Sequence, residues 1–236
     1  MSGMESILCV MAHPDDLAHG MGGTAWLLKD RYKLHVACAS RGERGYYTWK
    51  GEGLPPPNAA LATQRSAEEQ ATCDLLGASL TFLGQIDGEI YAERSAVEQV
   101  AALIRELRPV ALFTLGPQEK PDHAAAYLIA LQALYLANRF WETEMYMMLR
   151  HSETRQGRYA DLYVNISGVF AEKRRLVECH KSQNPTADHV ERVLDRNILL
   201  GKLAWCDQAE AFMTGLPLMA RRWNRKAGSI LMDLEH

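Results

Sequence analysis

The chain has 236 residues, 47% of them hydrophobic, and a formal net charge of −3, which provides for one substantial core and gives no general attraction to nucleic acid or to an anionic membrane. The basic clusters Lys173-Arg174-Arg175 and Arg221-Arg222 are short enough to be solvated helix faces. Five scattered cysteines without a Cys-x-x-Cys pair predict reduced thiols and a cytoplasmic location, and no apolar run reaches the roughly 18 residues that a membrane span needs.

In chain order, short apolar runs alternate with longer segments of helical period. Strands are predicted near 6–12, 33–40, 79–84 and 110–115, and helices over 20–31, 59–76, 92–107 and 122–138. Strands near 144–150 and 160–166 and helices near 168–181 and 187–204 follow. The alternation argues for right-handed βαβ units, hence an α/β fold: a Rossmann-like three-layer αβα sandwich with a mostly parallel sheet. Asn58 and Asp188 read as helix caps and Gly77 as a helix stop. Gly20, Gly22 and Gly23 lack the G-x-G-x-x-G spacing of a dinucleotide site, so they read as glycines that let the first helix approach the sheet closely. Residues 1–233 are taken as a single domain, and Leu234-Glu235-His236 as the start of an expression tag.

The first strand runs into Ala12-His13-Pro14-Asp15-Asp16-Leu17. Unpaired charges beside an apolar core carry a desolvation penalty of several kcal/mol, and a divalent cation would offset it. Imidazole and carboxylate together suit zinc, which in catalytic sites takes three protein ligands and leaves one position open. His13 and Asp16 supply two ligands. Pro14 turns the chain between them, and Asp15, pointing elsewhere, is placed to act as a general base. Lys120-Pro121-Asp122-His123, after a second apolar run, offers the third ligand. The alternative is a polar turn whose aspartates cap the next helix. In open parallel sheets ligands bind beyond the carboxyl ends of the strands, where both segments fall. The irregular stretch 41–58 lies on the same edge and reads as an active-site rim.

These segments resemble the LmbE-like (PIG-L) zinc-dependent N-deacetylases over nearly the whole chain. AHPDDLAHGMGGT is similar to the family's first motif, SRGERG at 40–45 to its Thr-Arg-Gly-Glu-x-Gly segment, and Arg65-x-x-Glu68 with Leu76-Gly77 to its second-helix pattern. FLGQIDG at 82–88, RELRP at 105–109, KPDH at 120–123 and HKSQ at 180–183 match further segments. The resemblance implies Zn2+, or another divalent metal, held by His13, Asp16 and His123, with Asp15 as general base and an N-acetylated amino sugar conjugate as the small-molecule substrate. It also implies a homo-oligomer, trimer or hexamer.

Two departures stand out. The family's second motif is usually His-x-Asp-His, and here its first position is Lys120, whose ammonium can stabilise an oxyanion with Asp122 orienting it or a neighbouring base. The first motif's His-Pro-Asp-Asp-Glu becomes His13-Pro14-Asp15-Asp16-Leu17 here, with His19 two residues on assigned to support the metal residues or to contact substrate. Arg41 and Glu43 are assigned to sugar hydroxyls, and Tyr47, with Tyr46 and Trp49, to stacking on a sugar ring. Tyr91 and His180 are further candidates. The rival reading is a non-catalytic carbohydrate- or metal-binding protein that has lost the acid at position 120; a nucleotide-binding oxidoreductase is a second rival.

Overall fold

A computed structural model describes residues 4–45, 50–117, 120–149, 160–215, 229–231 and 234. Among these, seven strands form one sheet: β1 (Ser6–Met11), β2 (Lys33–Ser40), β3 (Ser79–Gln85), β4 (Ala111–Leu115), β5 (Glu144–Met148), β6 (Leu162–Asn165) and β7 (Ala209–Thr214). Their order is β3-β2-β1-β4-β5-β7-β6. The first five are mutually parallel, β7 runs antiparallel to β5, and β6 antiparallel to β7. The helices are α1 (Asp16–Leu28), α2 (Ala59–Leu76), α3 (Arg94–Leu107), α4 (Pro121–Leu136), α5 (Phe170–Cys179) and α6 (Ala187–Leu203). They fall into two packed groups, α3 with α4, and α1 and α2 with α5 and α6. Residues Ile7 to Met11 of β1, between the groups, have no exposed surface. A strand covered on both faces is written as a continuous apolar run rather than an alternation, which is why β1 is so plain in the sequence. The mixed, mostly parallel α/β sandwich is the expected architecture.

Two chain reversals match their sequence signals. The Asn58 carboxamide accepts the Leu61 amide at 3.0 Å at the start of α2, and Gly77 ends that helix at φ 62, a left-handed conformation that glycine adopts without Cβ strain. Asp188 lies inside the first turn of α6, whose cap position is Thr186. Helix α1 starts at Asp16 rather than near residue 20, and breaks at Met21 (φ −145, ψ 20). The glycines hid this start, because they blur the apolar period over two turns. Their packing role is as expected: a Cβ on Gly20 would lie 2.4 Å from Met148 Sδ and one on Gly23 2.8 Å from Ile166 Cγ2.

Strand β7 has no counterpart in the predicted elements. Its segment Ala-Glu-Ala-Phe-Met-Thr lacks a run of β-branched residues and carries a glutamate, yet Glu210 is 1% exposed. Its carboxylate accepts the amides of Gly23 (3.0 Å) and Thr24 (2.7 Å) and receives the Lys173 ammonium at 2.6 Å. Those two amides lie just past the break in α1, where the interrupted helix leaves donors to be satisfied. A buried ion pair thus joins β7, α5 and α1. Leu234, set aside in the sequence as tag, is buried and joins the main core. No helix among the described residues is long and apolar enough to cross a membrane.

Candidate active site

Strands β2 and β3 lie on one side of β1 and β4 on the other, so the order of connection reverses between β1 and β4. That crevice is where open α/β sheets bind ligands. The turn after β1 carries His13 and Asp16, and the start of α4, after β4, carries His123. Asp16 is 2% exposed and His123 1%. Asp16 Oδ2 lies 3.5 Å from His13 Nδ1, and Asp16 Oδ1 lies 3.4 Å from His123 Nε2. Tetrahedral zinc, with ligands at about 2.0–2.2 Å, sets its donors roughly 3.3–3.6 Å apart. Each distance falls in that range, the two engaging different oxygens of Asp16, and one ligand atom from each residue lies within 4.8 Å of the others, so these three residues form a candidate metal site.

The other nitrogen of His13 is also engaged. Nε2 stands 3.0 Å from Asp122 Oδ2 and 3.1 Å from Asp87 Oδ1, an arrangement that fixes the tautomer and turns Nδ1 toward the cation position. Asp122 is itself fixed by the amides of Gly88 (2.6 Å) and Ile90 (3.4 Å). Burial would depress the His13 imidazole, but its bonds to Asp122, Asp16 and Asp87 outweigh burial and hold it well above the usual histidine range. Burial would raise the Asp87 carboxyl, yet its bond to His13 and the nearby Arg65 guanidinium leave it below the usual range. The cluster is thus rich in negative charge, the electrostatic setting that suits a cation.

Asp15 sits between His13 and Asp16 at φ 105, ψ −25, outside the φ/ψ range of the usual left-handed well. Conformations of this kind cost of order 1–3 kcal/mol and persist only where the surroundings impose them. Here the Asp15 amide donates to Glu69 Oε2 at 3.0 Å, the Arg65 guanidinium donates to the Pro14 carbonyl at 2.6 Å, and Asp15 Oδ2 lies 3.5 Å from Arg65 Nη2. Glu69 is fully buried, and burial pushes its carboxyl up to about 8, helped by the charge of Asp15. Behind it, His180 Nε2 lies 2.9 Å from Thr72 Oγ1 and 3.7 Å from Glu69 Oε2. Burial first, and Arg65 second, lower the His180 imidazole to about 3.

A small polar cavity of about 140 Å³ opens onto His13, Asp15, Asp16, Asp87 and His123, with Gly45, Arg65, Lys120 and Gln183 on its walls. Lys120 is exposed, directly before Pro121 at the start of α4. Asp122, read in the sequence as orienting Lys120 or a neighbouring base, contacts His13. His19 is outside the cavity walls but adjoins Asp15, its Nδ1 3.9 Å from Asp15 Oδ2. Arg41 is exposed with its guanidinium over the Phe82 ring at 5.5 Å, and Glu43 receives the Asn58 amide on its main-chain carbonyl; neither lines the cavity. Tyr47, with Tyr46 and Trp49, lies outside the described residues. The expected rim is represented by Gly45, whose carbonyl accepts from Gln183 Nε2 at 2.7 Å. Sequence reasoning missed Asp87, Glu69 and Gln183. An acid two residues past β3 and just before Gly88, on the same sheet edge, was the signal available for Asp87.

Comparison with known proteins fits this geometry. The pattern of the GlcNAc-PI de-N-acetylase (PIG-L) family matches residues 8–134, more than half of the chain. The chain belongs to the PIG-L family. Among the relatives of this PIG-L protein is a diacetylchitobiose deacetylase of Thermococcus kodakarensis, 29% identical over 194 residues that cover 77% of this chain and 71% of the relative. A 4-oxalmesaconate hydratase of Pseudomonas putida is 26% identical over 204 residues, covering 80% of this chain and 78% of the relative. The N,N'-diacetylchitobiose deacetylase structure from Pyrococcus horikoshii superposes with a TM-score of 0.75 at 22% identity, covering 91% of this chain and 85% of that one, which shows a common fold.

Proposed function

We propose that this PIG-L protein is a zinc-dependent amide hydrolase that removes the acetyl group from an N-acetylated amino sugar conjugate. The observation that carries the reading is the placement of a separate carboxylate, Asp15, in the same cavity as the His13, Asp16 and His123 donors. The deacetylase relative supports the substrate class. A zinc ion held by these three residues would polarise the amide carbonyl and acidify the attacking water.

The chain's own groups divide the remaining work. Asp15 takes the proton from the attacking water. Asp87 and Asp122 keep His13 in one tautomer. The Lys120 ammonium, on the cavity wall, stabilises the negative charge that develops on the amide oxygen, and the proton taken by Asp15 passes to the departing nitrogen as the C–N bond breaks, leaving a free amine and acetate. The acetamido group is placed in this cavity of about 140 Å³, beside Gly45 and Lys120.

Zinc-loaded protein incubated with N,N'-diacetylchitobiose and other N-acetylglucosamine conjugates is expected to release primary amine and acetate in equal amounts. Asp15→Asn should keep its metal and lose turnover. Failure of every acetylated amino sugar, together with hydration of 4-oxalmesaconate, the compound named for the hydratase relative, would overturn the reading. Tight binding of the conjugates without turnover would instead select a non-catalytic binding protein.

A further inference from the structure

Among the described residues, four that are not glycine have positive φ: Asp15, Arg108, Asn138 and Trp205. The last three follow the ends of α3, α4 and α6 with φ between 46 and 60, the ordinary left-handed exit from a helix. Asp15 differs in place and in angle. It precedes a helix, its φ is 105, and it separates two of the metal-site residues.

The two contacts that impose this angle fall on one peptide unit. The carbonyl of Pro14 and the amide of Asp15 belong to the same plane, and that plane's orientation about the N–Cα bond is φ of Asp15. Arg65 grips the carbonyl and Glu69 the amide. The two side chains are four residues apart on α2, so they stand one turn apart on one face, and both are buried, Arg65 at 3% and Glu69 at 0% exposure. Arg65 Nη1 also donates to the Gly42 carbonyl at 3.1 Å, which ties the guanidinium to the loop after β2. Glu69 Oε1 is buried with no hydrogen-bond partner among the described residues. A buried carboxylate with one oxygen unsatisfied is costly to keep, and a leucine there would serve packing better. Its other oxygen, 3.7 Å from His180 Nε2, accepts the Asp15 amide at 3.0 Å, which leucine cannot do.

We infer that Arg65 and Glu69 form a clamp on the Pro14–Asp15 peptide plane, and that Glu69 is a positioning residue which aims the Asp15 carboxylate into the cavity. The inference rests on the reading of Asp15 as the base. Without the clamp, the peptide relaxes toward an unstrained angle and the carboxylate swings away, while His13, Asp16 and His123 keep their own contacts. Misplacement of a reacting group by about 1 Å costs on the order of 100-fold in rate.

The test uses the metal-loaded full chain with N,N'-diacetylchitobiose as substrate. Glu69→Leu should lower kcat by about 100-fold with KM and metal content near wild type, and Glu69→Gln, whose amide oxygen still accepts the Asp15 N–H, should restore most of the turnover. Wild-type kcat in Glu69→Leu, or a Glu69→Gln protein as slow as Glu69→Leu, overturns the clamp. Should Glu69→Leu fail to fold, the Asp15→Gly background decides, because glycine adopts this angle without strain. Melting should then fall less when Glu69→Leu is added to Asp15→Gly than when it is made alone, and an equal fall overturns the proposal. Asp15→Asn run in parallel separates the two ideas. Full turnover there removes the base itself, whereas a dead Asp15→Asn beside an active Glu69→Leu removes only the clamp.

Discussion

The Asn184 carboxamide nitrogen stands 3.1 Å from His19 Nε2 while facing the carbonyls of Val177 at 3.0 Å and His180 at 3.2 Å. An NH₂ group only donates, and the two carbonyls fix which end of the amide points this way. Nε2 of His19 is therefore the acceptor, and the neutral ring carries its proton on Nδ1, the nitrogen facing Asp15. Asn184→Asp replaces the donor by an acceptor and should move that proton to Nε2. The expected outcome is a kcat lower by about tenfold, equivalent to about 1.4 kcal/mol, with unchanged metal content. An Asn184→Asp protein with wild-type kcat would remove His19 from the account.

Asp122 supports His13, of the candidate metal site, and the backbone of the β3–α3 connection together. Asp122→Ala should weaken metal affinity by about 10–100-fold, measured by competition with a chromogenic chelator. It should also lower stability by about 1–3 kcal/mol, because the Gly88 and Ile90 amides lose their acceptor. Asp122→Asn, which keeps an acceptor oxygen, should recover more of the stability than of the affinity.

How much of this was legible beforehand follows from where each residue's partners lie. His13, Pro14, Asp15 and Asp16 are consecutive, and His123 sits in a compact second motif after an apolar strand, so the donor set could be read from adjacency and from the parallel-sheet rule. Glu69 could not. Helix α2 buries Arg65, Glu68, Glu69, Thr72, Cys73 and Leu76, a proper helical spacing spelled mostly in polar letters. Reading that uses hydrophobic periodicity assigns such a face to solvent. Asp87 is a lone acid whose partner His13 lies 74 positions earlier, and β7 owes its place to neighbours far from it in sequence. In each case tertiary contacts supply what local pattern lacks. Arg41, a motif residue, has its guanidinium over the Phe82 ring, a contact that local sequence does not announce.

The Lys173–Glu210 pair, with both side chains wholly buried, should behave as buried ion pairs do. Lys173→Met leaves Glu210 charged and uncompensated, at a cost of about 3–5 kcal/mol in urea unfolding. Adding Glu210→Gln should return part of that loss, since a neutral amide oxygen can still accept the Gly23 or Thr24 amide. A double variant no more stable than the single would show that the cost lies in lost packing by the lysine stem.

His180 gives the acid side of the stability profile. Its folded pKa is about 3 against 6.5 ordinarily, so between these values the unfolded chain binds a proton that the folded chain refuses. Stability therefore falls as pH drops from about 6.5 toward 3, by up to about 1.4 kcal/mol per pH unit from this group. His180→Gln should flatten that slope relative to wild type in denaturant titrations at pH 7, 5.5 and 4.5, taken within roughly the interval where the imidazole differs between states. An identical slope would mean the ring takes up its proton in the folded protein.

Because β7 enters the sheet between β5 and β6, the ribosome has to deliver residue 214 before the outer edge of β5 can be covered. Nascent chains or truncations that stop short of Ala209 would hold a nearly finished parallel half with an open seam along β5, and the broken middle of α1 would lack the carboxylate that quiets its stray amides. Such a chain offers a ready template for edge-to-edge pairing. Truncated chains that keep only the motif-bearing first two-thirds are therefore expected to aggregate, even though His13, Asp16 and His123 are all present in them.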